Sequence, residues 1–155
     1  MNTLTEMIAR FWVHCESVLS RMRPIVDLAA RLYVARVFLL SGLSKAQDWQ
    51  TTLYLFREEY HVPLLPPVFA AGLATTGELV LSVMLAVGLF TRFSALGLFV
   101  LNIVAVISYY DALVSTPAAL HDHIEWGIIL ALLATTAIGA LSLDTVLARW
   151  HRPRP

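Results

Sequence analysis

Apolar positions along the chain first recur at intervals of three and four residues, then merge into long continuous runs. The segment "TEMIARFWVHCESVLSRM" spaces Met7, Phe11 or Trp12, Cys15, Val18 or Leu19 and Met22 as one helical face, with Arg10, His14, Glu16 and Arg21 on the rest. This pattern predicts an amphipathic helix for a membrane surface. Four later stretches, about 27–44, 67–90, 93–114 and 122–143, meet the length of roughly 20 apolar residues that a helix needs to cross a bilayer. Lipid admits only helices or closed barrels, because every backbone polar group must be satisfied internally. These runs lack the alternation of barrel strands. The predicted fold class is all-α: an integral membrane four-helix bundle over 27–143, a cytoplasmic amphipathic tail over 1–26 and a cytoplasmic tail over 144–155. In the first outer loop, "DWQTTLYLFREEY" puts Trp49, Leu53, Phe56 and Tyr60 on one helical face and Arg57, Glu58 and Glu59 toward water. A short interfacial helix with a membrane-facing stripe is expected there, ended by "HVPLLPP".

Composition strengthens the membrane reading. Of 155 residues, 58% are hydrophobic and 14% charged, against about 25% charged in an average soluble domain; the mean hydropathy is +0.70. Eleven basic and eleven acidic residues balance, with no clustered positive charge for a nucleic acid. Cys15 is the only cysteine, so an internal disulfide, a CxxC pair and a cysteine-based cluster are excluded within one chain. Glu6, Arg10, His14 and Glu16 interrupt any secretory h-region. Arg10, Arg21 and Arg23 precede the first run, Arg92 lies between the second and third, and Arg149, Arg152 and Arg154 follow the fourth. The first loop sets Lys45 and Arg57 against Asp48, Glu58 and Glu59, and "DALVSTPAALHDH" has no Lys or Arg. This asymmetry predicts both termini and Arg92 on the cytoplasmic side. Trp49, Tyr54, Tyr60, Tyr109, Tyr110 and Trp126 fall near the opposite face, as an aromatic belt would.

Two polar groupings stand out. Glu78 lies 11 residues after Pro67 and 14 before Arg92, on the order of 16–21 Å from either end at 1.5 Å per residue. An ionisable group at that depth is costly and demands a partner. By depth, Arg36 is the expected partner, with Asn102 at a similar level, giving a buried polar core of Arg36, Glu78 and Asn102. Ala71, Ala74, Glu78, Ser82 and Leu85 share a stripe whose small members permit close helix approach. Lys45 is about 180° from Arg36 around the helix, so the two are not expected to serve one site. The pair is either a structural ion pair that fixes helix register or a proton-linked or ligand-binding site. The second grouping opens the fourth run, where "HDHIEWG" places His121, Asp122 and Glu125 on neighbouring positions, with His123 pointing elsewhere. With Lys45, Asp111 and His61 they form a predicted polar cluster at the outer mouth. Histidine and carboxylate are metal-ligand types, making His121 and Glu125 the candidates, but no metal-motif spacing is present and none is assigned.

The segments "ARVFLLSGLSK", "GELVLSVMLAVGLFTRFSALGL", "HIEWGIILALLA" and "GALSLD" together resemble a DoxX family membrane protein over about Leu28 to Asp144. The segment "DWQTTLYLFREEYHVPLLPP" is similar to a branch found near periplasmic metal- or thiol-stress proteins. The resemblance implies an inner-membrane subunit of a redox or stress-response assembly, as in thiosulfate:quinone oxidoreductase subunits. It implies a quinone, a periplasmic or membrane redox partner protein, or a metal as the source of redox chemistry. It also places Arg36, Lys45, Glu78 and Arg92 at the family's polar positions. Two other readings stand beside it: a small transporter or metal-homeostasis accessory working through His121 and Glu125, and a structural membrane anchor for a partner protein. The bilayer is the expected partner in every case, and a homo-oligomer is compatible with each.

Overall fold

In the computed structural model, residues 3–136 and 139–150 are described; Arg152 and Arg154 lie outside them. The described residues form helices α1 (Thr3–Gln47), α2 (Trp49–Glu58), α3 (Pro67–Val87), α4 (Thr91–Ser108), α5 (Tyr110–Ser115), α6 (Pro117–Thr135) and α7 (Leu143–Trp150). The expected tail and first span lie on one continuous helix that passes through Pro24. The third span stops at Ser108, where Tyr109 leaves helical geometry, and residues 110–115 form a separate short helix. The fourth helix ends at Thr135, where Thr136 turns extended.

Local chemistry sets these limits. Pro67 and Pro117 open α3 and α6 at positions where a missing N–H costs nothing. Asp48 caps α2 by accepting from the Thr51 N–H at 3.0 Å and the Thr51 hydroxyl at 2.7 Å. Gly88 closes α3 in the left-handed region, φ 73°, which suits glycine.

Helix α1 packs on α3, α3 on α4, α4 on α6, and α6 on α1, closing a ring of four helices. The core within the ring is Val34, Ala35 and Phe38 from α1, Leu85 from α3, Ala95 and Leu98 from α4, and Leu130 and Leu133 from α6. Helix α2 lies across the far end of α3, with Phe56 buried against Ala70 and Ala71 and with Leu53 and Tyr60 beside it. Leu53, Phe56 and Tyr60 of the expected stripe thus pack on α3, while Trp49 stays exposed. Two helices, α3 and α4, are long and apolar enough to cross a membrane. They turn Leu73, Val80, Val83, Phe93, Leu96 and Val100 outward, as lipid contact requires.

The α3–α4 turn is locked at the end of the ring where the tail of α1 and α7 emerge. Phe90 has φ 45°, uncommon for a residue with a Cβ. Asp144 holds it there: one carboxylate oxygen accepts from the Phe90 N–H at 2.7 Å, and the other from the Thr91 N–H and hydroxyl, both at 2.8 Å. The Asp144 N–H donates to the Gly88 carbonyl at 2.9 Å. Arg31 is fully buried beside this turn. It pairs with Asp27 at 3.1 Å and donates to the carbonyls of Leu85 and Leu141. The Leu85 carbonyl lies in the last turn of α3, where it also accepts from the Gly88 N–H at 3.1 Å.

Candidate functional site: a polar layer inside the helix ring

Lys45 occupies the inward stripe of α1 that runs through Arg31, Val34, Ala35, Phe38, Ser41 and Gly42. Its ammonium donates to both Glu78 carboxylate oxygens, at 2.9 and 2.8 Å, and to the Ser41 hydroxyl at 2.6 Å. The Lys45 and Glu78 side chains keep only 20% and 11% of their exposed area, so this is an interior ion pair. A Cβ placed on Gly42 would come within 3.1 Å of the Glu78 Cβ, and one on Gly127 within 3.2 Å of Asn102 Nδ2. One on Gly77 would meet Leu101. Gly42, Glu78, Asn102 and Gly127 thus mark one level, with a contribution from each helix of the ring.

On the α4–α6 side, Asn102 is buried. Its Nδ2 donates to the His123 carbonyl at 2.8 Å, and its Oδ1 lies 2.7 Å from His123 Nδ1. A carbonyl only accepts, which fixes the orientation of the amide; an amide oxygen also only accepts, so Nδ1 carries the His123 proton. In neutral His123 the other ring nitrogen, Nε2, is then an acceptor. The His123 ring stands edge-on to Trp126 at 5.0 Å, and Trp126 meets Phe38 at 6.1 Å. Trp126 Nε1 and Thr75 Oγ1, one turn from Glu78, are buried without a hydrogen-bond partner. Such groups are costly to leave unpaired.

Above this layer, Phe56, Tyr60 and Tyr109 form a chain of edge-on rings at 5.0 and 4.9 Å. Tyr109 donates to Glu59 at 3.3 Å. Burial pushes the Tyr60 hydroxyl above the usual range, aided by Tyr109, Glu59 and Glu78 nearby.

Several sequence expectations are corrected here. Arg36 is exposed, on the side of α1 turned from the ring; Lys45, half a turn of the helical wheel away, takes Glu78 instead. Depth favoured Arg36, but helix face decides which side chain reaches, and the lysine stem spans the difference in level. Lys45 consequently belongs to the interior and not to an outer-mouth cluster. His121, Asp122 and Glu125 are all exposed, whereas His123, expected to point elsewhere, faces Asn102. Among the described residues no group of three or more His, Cys, Asp or Glu is placed to hold a metal. The sequence reading missed Arg31, His123 and Trp126. Arg31 was marked by its four-residue spacing from Asp27 and Ala35, and His123 by its four-residue spacing from Gly127.

The layer joins a mobile proton donor on Lys45, a carboxylate on Glu78, an acceptor on His123 and unpaired donors on Trp126 and Thr75. Such a set can hold a small polar group, accept its hydrogen bonds and exchange protons with it. No curated protein and no solved structure matches the chain. The DoxX family model matches residues 26–111, from the α1 segment beside Asp27 through Asn102 to the start of α5. With more than half of its length covered by that match and with two outward-apolar helices, this chain is a membrane protein belonging to the DoxX family.

Proposed function

We propose that the chain is a multi-pass inner-membrane subunit of a membrane-bound redox or stress-response assembly, with a quinone-sized ligand received in the polar layer around Lys45 and Glu78. In this reading the four ring helices span the bilayer as a four-helix bundle, and both termini face the cytoplasm, in keeping with the arginine distribution. The observation that carries it is the interior Lys45–Glu78 pair facing a layer that holds unpaired polar atoms on Thr75 and Trp126. An ion pair alone is explained by helix register. Buried donors with nothing to donate to are not, and a bound carbonyl compound would satisfy them. The Lys45 ammonium and the Trp126 N–H would donate to ligand carbonyls; Glu78 and His123 Nε2 would accept from the corresponding hydroxyls. The exposed positions of His121 and Glu125 give no support to metal or transport chemistry at the outer mouth.

The test is mass spectrometry of organic extracts from protein purified out of native membranes. Quinone should be enriched over bulk lipid extract in the unaltered protein and fall to the bulk level in Lys45→Met and Trp126→Phe. Bulk-level quinone in the unaltered protein would reject the ligand reading, and an enriched non-quinone species would redirect it.

A further inference from the structure

Among the described residues, the N-terminal half of α1 leaves large apolar side chains exposed. The fully buried positions of α1 begin at Arg31. Leu4, Ile8, Phe11, Val18, Met22 and Ile25 are between 43% and 70% exposed, which for a row of large apolar side chains on one helix is a face awaiting a partner.

The spacing of that row is specific. Leu4, Ile8, Phe11, Cys15, Val18, Met22 and Ile25 alternate by four and three residues. This is a seam of period 3.5, the mark of helices that supercoil about one another. With Ile8, Cys15 and Met22 as a positions and Leu4, Phe11, Val18 and Ile25 as d positions, every charged residue of the segment falls elsewhere. Glu6 is at f, Arg10 at c, Glu16 and Arg23 at b, and Arg21 at g. Pro24 falls at c, on the outside, where its missing N–H leaves the seam untouched.

Helix continuity opposes burial of this face in the membrane surface. To lie in the bilayer plane the tail would have to turn about a right angle from the segment that follows. A proline inside a helix gives a kink, not a corner, and α1 stays helical through Pro24. The tail therefore projects from the ring by roughly 35 Å at 1.5 Å per residue.

We propose that residues 4–25 pair with the same segment of a second copy as a parallel two-stranded coiled coil. Two copies in one membrane share an orientation, so the pairing is parallel, about a two-fold axis along the membrane normal. In that arrangement g residues meet e residues of the partner strand's next heptad. The resulting pairs are Met7 with Trp12, His14 with Leu19 and Arg21 with Val26. None sets like charges together, and Trp12, Leu19 and Val26 broaden the apolar seam. The dimer does not depend on the ligand reading above.

Cys15, the only cysteine of the chain, sits at a central a position and faces its own copy across the axis. Copper–phenanthroline oxidation of native membranes should give a covalent species of twice 17.2 kDa, absent in Cys15→Ser. On the Cys15→Ser background, Phe11→Cys and Val18→Cys should cross-link, whereas Val13→Cys and Ser20→Cys, at f positions, should not. Phe11→Glu with Cys15 retained should reduce the dimer at least about tenfold, since a seam charge costs more than ~1.4 kcal/mol. Equal cross-linking at d and f positions, no cross-linking at any of them, or adducts of a mass other than twice the chain would overturn the proposal.

Discussion

Gly42 on α1 lies directly against Glu78 on α3: a Cβ on Gly42 would sit 3.1 Å from the Glu78 Cβ and 3.0 Å from Leu79. The missing side chain lets the lysine one turn further on fold over the carboxylate. Gly42→Val should therefore drive the two helices apart, at a cost of about 1–3 kcal/mol for overpacking. Gly72→Val, with nothing within 4 Å of its Cβ, should leave the thermal midpoint in detergent close to that of the unaltered protein. Equal midpoints for the two variants would mean that α1 and α3 are not in close contact at Gly42.

The ion pair itself is open to a double-mutant cycle. Glu78→Gln and Lys45→Met should each destabilise by about 3–5 kcal/mol, because each leaves one buried polar partner uncompensated. The double variant should recover part of that loss. Arg36→Leu, by contrast, removes a charge turned away from the ring and should not destabilise the fold. A large Arg36 effect with a small Lys45 effect would restore the depth-based pairing over the face-based one.

Two groups outside the ring interior give the protein opposite pH sensitivities. Asp48 accepts from the Thr51 backbone and side chain, which holds its carboxyl below the ordinary 3.8. The folded state thus favours the ionised form, and its contribution, present above that ordinary value, is lost as pH falls through the lowered one. The protection factor of the Thr51 amide against hydrogen exchange should fall on acidification, and Asp48→Ala should remove that acid step. Tyr60 behaves in reverse. Burial raises its hydroxyl above 10.0, so its contribution is complete below 10.0 and lost as pH rises through the raised value. Tyr60→Phe should flatten the alkaline limb of the stability profile.

Periodicity made the helices legible, and the residues lining the ring followed from it where a stripe was continuous. Ala71, Ala74, Glu78, Ser82 and Leu85 were readable because five positions share one face. Partner choice was less legible, because two cations on α1 competed for one carboxylate and depth was weighed above face. His123 was obscured for a related reason. The conspicuous residues of its segment, His121 and Glu125, sit on a helix face together, while the buried contact with Asn102 belongs to a neighbour between them. The role of Asp144 depended on contacts with Phe90 and Thr91, 54 and 53 positions away, which no local pattern announces. Arg31 satisfies carbonyls of Leu85 and Leu141, residues 54 and 110 positions away, and backbone acceptors leave no trace in side-chain identity.

That clamp supplies the most discriminating structural prediction. Asp144 holds Phe90 in a left-handed conformation that costs roughly 1–2 kcal/mol for an ordinary residue, and it caps α4 through Thr91. Asp144→Ala should lose about 1–2 kcal/mol, the usual cost of a deleted helix cap. Asp144→Asn, which keeps one acceptor oxygen, should lose less. Phe90→Gly should relieve the strain and partly offset Asp144→Ala when the two are combined. Arg31→Leu should cost more, about 3–5 kcal/mol, because it strands Asp27 and removes the side-chain donor to the Leu141 carbonyl. Arg31 and Asp144 hold the same segment, residues 139–144, against the α3–α4 turn, so their losses should not add. A coupling of about 0.5–3 kcal/mol is expected between them. Thermal unfolding of the four variants and the Arg31/Asp144 double variant in one detergent would measure it. Strict additivity would mean that the two residues secure separate parts of the molecule.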